Sequence, residues 1–75
     1  MMKVQAQTLV GMQDVLVTVP TWKGEVTVKP ETEILRMEIG GREVVTFDWT
    51  EGGTAYFAGR TEGVFLDPAE EVTLH

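Results

Sequence analysis

Ile34-Leu35-Arg36-Met37-Glu38-Ile39-Gly40-Gly41-Arg42-Glu43-Val44-Val45-Thr46-Phe47-Asp48-Trp49-Thr50 is the stretch that decides the fold class. Two runs with strand-like alternation flank a Gly-Gly pair, and that pattern is the signature of a β-hairpin. Two registers compete. A two-residue turn sets Glu38 opposite Glu43 and Arg36 opposite Val45. Like charges directly opposite each other are unfavourable, and this register also mixes the faces. A three-residue loop, Ile39-Gly40-Gly41, pairs Glu38 with Arg42 and Leu35 with Val45. It puts Gly41 at the left-handed position of a type I turn with a G1 bulge. The charges therefore predict the three-residue register, with an ion pair between Arg42 and Glu38.

The same solution fits the next segment. A loop Glu51-Gly52-Gly53 would pair Thr50 with Thr54, Trp49 with Ala55 and Phe47 with Phe57. The two hairpins together predict a β-meander over the C-terminal half. Val64-Phe65-Leu66 can add a fourth strand, and 72–75 a closing one. Between them, Asp67-Pro68-Ala69-Glu70-Glu71 has the pattern of one helical turn, with Asp67 as N-cap and Pro68 in the first turn. The predicted inner face holds Leu35, Met37, Val45, Phe47, Trp49, Ala55, Phe57, Val64 and Leu66. The other face mixes Arg36, Glu38, Thr46, Asp48, Thr50 and Thr54 with Ile34, Val44, Tyr56, Ala58 and Phe65. A sheet face turned wholly to water would be more polar than this. It is either covered by the N-terminal strands or used as an interface.

Residues 2–10 alternate, with Met2, Val4, Ala6, Thr8 and Val10 on one side, and predict a first strand. Gly11 to Asp14 make a turn. Val15, Val17 and Val19 line a second strand that should end at Pro20. Val26 and Val28 line a third that should stop at Pro30. Across the chain, eleven Val and ten Thr against four Ala favour pleated sheet over helix. The fold class expected is all-β: a small antiparallel barrel or two-layer sandwich of SH3-like size. Six or seven strands, with at most a helical turn near 67–71, form a single domain over 1–75. With 75 residues the core is small, and oligomerisation is the available way to bury more surface.

Composition narrows the chemistry. There is no Cys, Ser or Asn, and the single His is His75, at a chain end expected to fray. Thiol and serine nucleophiles, disulfides and thiolate metal sites are thereby excluded. A carboxylate pair such as Asp48 and Glu51 is conceivable for glycoside chemistry, but a domain this small rarely encloses the cleft it needs. Solvated or cross-strand roles account for both. Gly40-Gly41 and Gly52-Gly53 match neither phosphate-loop nor dinucleotide fingerprints. No enzyme, cofactor or metal site is expected.

Net charge is −6, and all of it arises in residues 38–75, where Arg42 and Arg60 face eight carboxylates. That field repels a phosphate backbone and disfavours direct nucleic-acid binding. No apolar run reads as a signal peptide or a membrane span, so a soluble, cytoplasmic protein is expected, or an intravirion one if the gene is phage-borne.

The expected function is a non-enzymatic interaction module, a homo-oligomer or a binder of a protein partner, working through strand edges and the partly apolar face. Candidate interaction residues are Trp22 and Lys23 between the second and third strands, Val44, Tyr56 and Phe65 on the mixed face, and Arg60. Trp22 could equally cap the core, and Tyr56 could pack opposite Asp48. Two alternatives remain: an acidic inhibitor or nucleic-acid mimic that blocks a basic groove, and a small-ligand-binding barrel using the Trp22–Lys23 loop.

Overall fold

The computed structural model describes residues 1–21, 24–51, 54–55 and 62–75. The chain forms an antiparallel sheet that curls into a half-barrel, with one 3-10 turn. The described residues form eight strands: β1 (Met2–Gln5), β2 (Val17–Thr21), β3 (Gly24–Pro30), β4 (Leu35–Ile39), β5 (Arg42–Glu51), β6 (Thr54–Ala55), β7 (Glu62–Leu66) and β8 (Glu71–Leu74). They lie in the order β1-β8-β2-β3-β5-β4, with β6 and β7 both on β5. The all-β expectation holds, with more strands than the six or seven foreseen.

The first half departs from its predicted strands in detail. β1 stops at Gln5, and Ala6–Leu9 winds into the 3-10 turn. In that geometry residues three apart share a side, which is why Ala6 and Leu9 are both buried while Thr8 and Val10 are exposed. β2 begins at Val17 rather than Val15 and runs through Pro20 to Thr21. Pro20 does not end it because β8 pairs only with Val17 and Thr18, so the missing N–H falls where no neighbour needs it. Val17 and Val19 stand opposite Val28 and Val26, and all four are buried. β3 includes Pro30, which pairs with Trp49; Lys29 and Pro30 thereby carry β3 over to β5.

The central hairpin takes the register that the charge argument rejected. Ile39 pairs with Arg42, Glu38 with Glu43, Arg36 with Val45 and Leu35 with Thr46. Gly40 and Gly41 have φ of +59° and +79°, the paired left-handed conformations of a type I′ turn. That turn twists with the strands, whereas a plain type I turn would splay them. The Glu38–Glu43 opposition costs only tenths of a kcal/mol up to about 1. It is offset diagonally, since Arg36 reaches Glu43 at 2.7 Å. The predicted Arg42–Glu38 pair is absent, and Arg42 lies 3.5 Å from Asp67.

One residue of slip reverses a strand's faces. Leu35 and Met37 therefore point outward, while Ile34, expected outside, is buried in the core. The second hairpin is shifted in the same way, with Thr50 opposite Ala55 and Glu51 opposite Thr54. Phe47 then pairs with Val64, because β7 lies along β5 itself instead of forming a fourth rung beyond β6. Phe57 and Ala58 lie outside the described residues. Val45, Phe47, Trp49, Val64 and Leu66 are buried as expected, and join Ala6, Leu9, Ile34, Val72 and the four β2–β3 valines in one core.

The closing strand β8 lies between β1 and β2. Before it, residues 67–70 form a reverse turn in place of the helical turn. Asp67 does act as a cap, accepting the Ala69 N–H at 2.9 Å, but the Glu70 N–H returns to the Asp67 carbonyl and the chain re-enters the sheet. His75, expected to fray, is hydrogen-bonded through both its backbone and its ring. Its N–H donates to the Leu16 carbonyl, and its ring lies 2.6 Å from the Thr18 hydroxyl.

Candidate protein interface

β4, β5 and β7 form a three-stranded patch whose inner side chains belong to the core. Its outer side follows from the register. Leu35, Thr46 and Phe65 lie in one cross-strand row, Met37 and Val44 in the next, and Ile39 and Arg42 in the last. Leu35, Met37, Ile39 and Phe65 are 49, 45, 46 and 60 % exposed. Val44, at the centre, is 9 % exposed, which leaves it nearly sealed among these neighbours.

Charges bound this apolar surface. The Arg42–Asp67 pair flanks it at the turn end, and Asp48 at the other. The Asp67 carboxyl is held below its ordinary pKa of 3.8, chiefly by the Ala69 N–H, with Arg42 adding to the effect. Asp67 is therefore ionised at neutral pH. An apolar centre with a charged rim is the anatomy of a protein-docking surface.

The outer edge of β4 adjoins this face. A two-residue turn closes on a hydrogen-bonded pair, so Ile39, Met37 and Leu35 turn their N–H and C=O groups toward β5. Ile34, Arg36 and Glu38 turn theirs away from β5. Gly11 N–H occupies the Ile34 carbonyl at 2.9 Å, which agrees with that alternation. Beyond it, no strand among the described residues pairs with the outer edge of β4. The backbone groups of Arg36 and Glu38 face that edge.

Of the expected interaction residues, Val44 and Phe65 share this face as diagonal neighbours. Trp22, Lys23, Tyr56 and Arg60, and with them the expected packing of Tyr56 on Asp48, lie outside the described residues. Leu35, Met37 and Ile39 also lie on this face, although the three-residue register places the first two in the core and the third in a loop. The signal that would have found them is the Gly-Gly pair, since both positions of a type I′ turn need a left-handed backbone, which glycine adopts without strain.

Elsewhere, Met1, Met2, Lys3, Thr18, Glu25, Thr73 and His75 line an open cleft of about 420 Å³. Gln13, Asp14, Pro30, Glu31, Thr32 and Glu33 line a smaller polar recess, with Lys29 3.4 Å from Asp14 at its margin. No helix among the described residues is long and apolar enough to cross a membrane. No protein-family model matches the chain, and neither does any curated protein or solved structure.

Proposed function

We propose that this chain is a non-enzymatic interaction module that self-associates or binds a protein through the outer face of β4, β5 and β7 and the adjoining β4 edge. The observation that carries the proposal is the set of Leu35, Met37, Ile39 and Phe65, four large apolar side chains about half exposed on one face. Single exposed apolar residues are ordinary, but a contiguous group with a charged rim marks a surface that is covered in use. The β4 edge beside it, unpaired by any strand among the described residues, supplies main-chain donors and acceptors for the same purpose. The face is apolar where a blocker of basic grooves would be acidic, so it favours protein docking over mimicry of nucleic acid.

The test is a double variant, Leu35→Asp with Phe65→Asp. Both positions are exposed, so the fold should keep its circular dichroism spectrum and lose at most about 0.5 kcal/mol per substitution. Sedimentation velocity over a concentration series reads self-association. Affinity capture from the native host, wild type beside variant, reads partner binding. The proposal predicts that the variant loses one or both. It fails if the wild type is a monomer throughout and captures nothing that the variant does not.

A further inference from the structure

The occupant of the β4 edge can be named from the strand's own sequence. Resting on the interaction reading above, we propose that β4 pairs antiparallel with β4 of a second copy of this chain. A two-fold axis passes through Met37, and one sheet then runs across both copies.

The edge allows few registers. Only Arg36 and Glu38 offer backbone groups outward beyond the position closed by Gly11, so they must form the hydrogen-bonded pairs. Pairing Arg36 with Arg36 of the second copy, or Glu38 with Glu38, sets like charges directly opposite. Pairing Arg36 with Glu38 of the second copy sets unlike charges opposite, and the two-fold axis repeats the benefit at Glu38 with Arg36. The same register settles the outer face. Leu35 meets Ile39 of the second copy, Met37 meets its own equivalent, and Ile39 meets Leu35. Leu35-Arg36-Met37-Glu38-Ile39 is thus complementary to itself when reversed: apolar against apolar on one face, cation against anion on the other.

Within one copy, Arg36 already bonds Glu43 at 2.7 Å, with the Gln7 side chain at 3.4 Å. In the pair its guanidinium would lie between Glu43 and Glu38 of the second copy, and each added carboxylate is met by an existing cation. An isologous contact of this kind closes on itself and stops at two copies.

The chain has no cysteine, so single cysteines report the register directly. Met37→Cys puts two thiols at a non-hydrogen-bonded pair, where Cα atoms are about 4.5 Å apart and a disulfide fits. Leu35→Cys and Ile39→Cys separate equivalent thiols by about four residues, roughly 13 Å, which is beyond disulfide reach. The expected result is rapid oxidation of Met37→Cys to a covalent dimer, little from either other variant alone, and a mixed disulfide when those two are combined.

Charge reversal gives an independent measurement. Arg36→Glu and Glu38→Arg should each weaken dimerisation about tenfold or more, because each places two like-charge pairs across the axis. The double reversal should recover most of the loss, whatever the change in fold stability, which circular dichroism reads separately. A wild-type chain that sediments as a monomer at tens of micromolar overturns the dimer. In that case the interaction reading survives if the Leu35→Asp, Phe65→Asp variant loses a captured protein. A wild-type dimer in which Met37→Cys fails to cross-link, or in which the double reversal restores nothing, overturns the β4 register while leaving self-association intact.

Discussion

Alanine at Gly40 separates the two hairpin registers by the sign of its effect. In the observed type I′ turn, Gly40 and Gly41 have φ of +59° and +79°. An L-residue there bears a backbone cost of roughly 1–2 kcal/mol. Replacing glycine also stiffens the unfolded chain and returns about 0.4–1 kcal/mol. A new Cβ at either position meets no atom within 4 Å, so sterics with the rest of the fold add nothing. The net effect of Gly40→Ala is therefore a loss of up to about 1.6 kcal/mol, centred near 0.8, and Gly41→Ala should match it. In a three-residue loop with a G1 bulge, only Gly41 would be left-handed. Gly40→Ala would then be neutral or stabilising by about 0.4–1 kcal/mol. Urea unfolding followed by Trp fluorescence and far-ultraviolet circular dichroism measures the difference. Thermal scans should show about 4–8 °C for each kcal/mol. Gly40→Asn is the control, because asparagine tolerates the left-handed region and suits the first position of a type I′ turn; it should stay within a few tenths of a kcal/mol of wild type. A Gly40→Ala variant more stable than wild type refutes the type I′ turn, and with it the outward placement of Leu35 and Met37.

Three further outcomes are expected. Serine at Ile34 should cost several kcal/mol and serine at Leu35 about 0.5 or less, as equilibrium unfolding would read, since these neighbours point to opposite faces of the sheet. Phe47→Ala should cost about 3–5 kcal/mol. A 75-residue domain holds roughly 4–11 kcal/mol in total, so this variant should be largely unfolded or have its urea midpoint cut by about a quarter or more, by circular dichroism. Asp67 has a lowered carboxyl pKa in the folded chain, so its stabilisation is complete above the ordinary value of 3.8 and disappears as pH falls through the lower folded value. Asp67→Asn keeps an acceptor for the Ala69 N–H but removes the charge facing Arg42. The gap in urea midpoint between wild type and this variant should hold constant near neutrality and close below about pH 4, and a gap independent of pH counts against the Asp67–Arg42 interaction.

Strand identity was legible in the sequence, whereas register was not, and the reason lies in relative magnitudes. Val45, Phe47 and Trp49 alternate within a strand long enough that no local choice could move them from the core. For β4, the sequence offers two faces of comparable claim: Leu35, Met37 and Ile39 on one side, Ile34, Arg36 and Glu38 on the other. Counting apolar residues favours burying the first set. The fold takes no side chain of β4 itself into the core, and Ile34, the residue just before the strand, is buried with no exposed surface. The Glu38–Glu43 repulsion, tenths of a kcal/mol at the surface, yields to the twist that the turn shares with its strands. The long-range contact that softens it, Arg36 to Glu43, exists only in the register being judged. Pro20 was misjudged on similar grounds, since whether a proline stops a strand depends on which side its absent N–H would face, and β8 comes from the other end of the chain. Likewise β6 and β7 share one edge of β5, an arrangement of strands separated by 56–61 that no local pattern encodes.

The charges of β4 bear on both solubility and assembly. An exposed edge with apolar residues in alternation is a hazard, because any extended chain can add to it, and proteins commonly blunt such edges with charge. Arg36 and Glu38 do this here: an apolar strand approaching the edge must leave both without new partners, and most charged strands would oppose at least one like charge. Because the two have opposite sign and lie symmetrically about Met37, one arrangement satisfies both at once, and it requires a strand of the same sequence running in reverse. The features that exclude general strand addition thus admit a second copy. A strand bearing two charges of one sign would have protected the edge equally well but would have repelled its own copy. In the proposed pairing, selectivity at this edge follows from the order of the charges along β4, which is why the double reversal of Arg36 and Glu38 should recover most of the affinity that either single reversal loses.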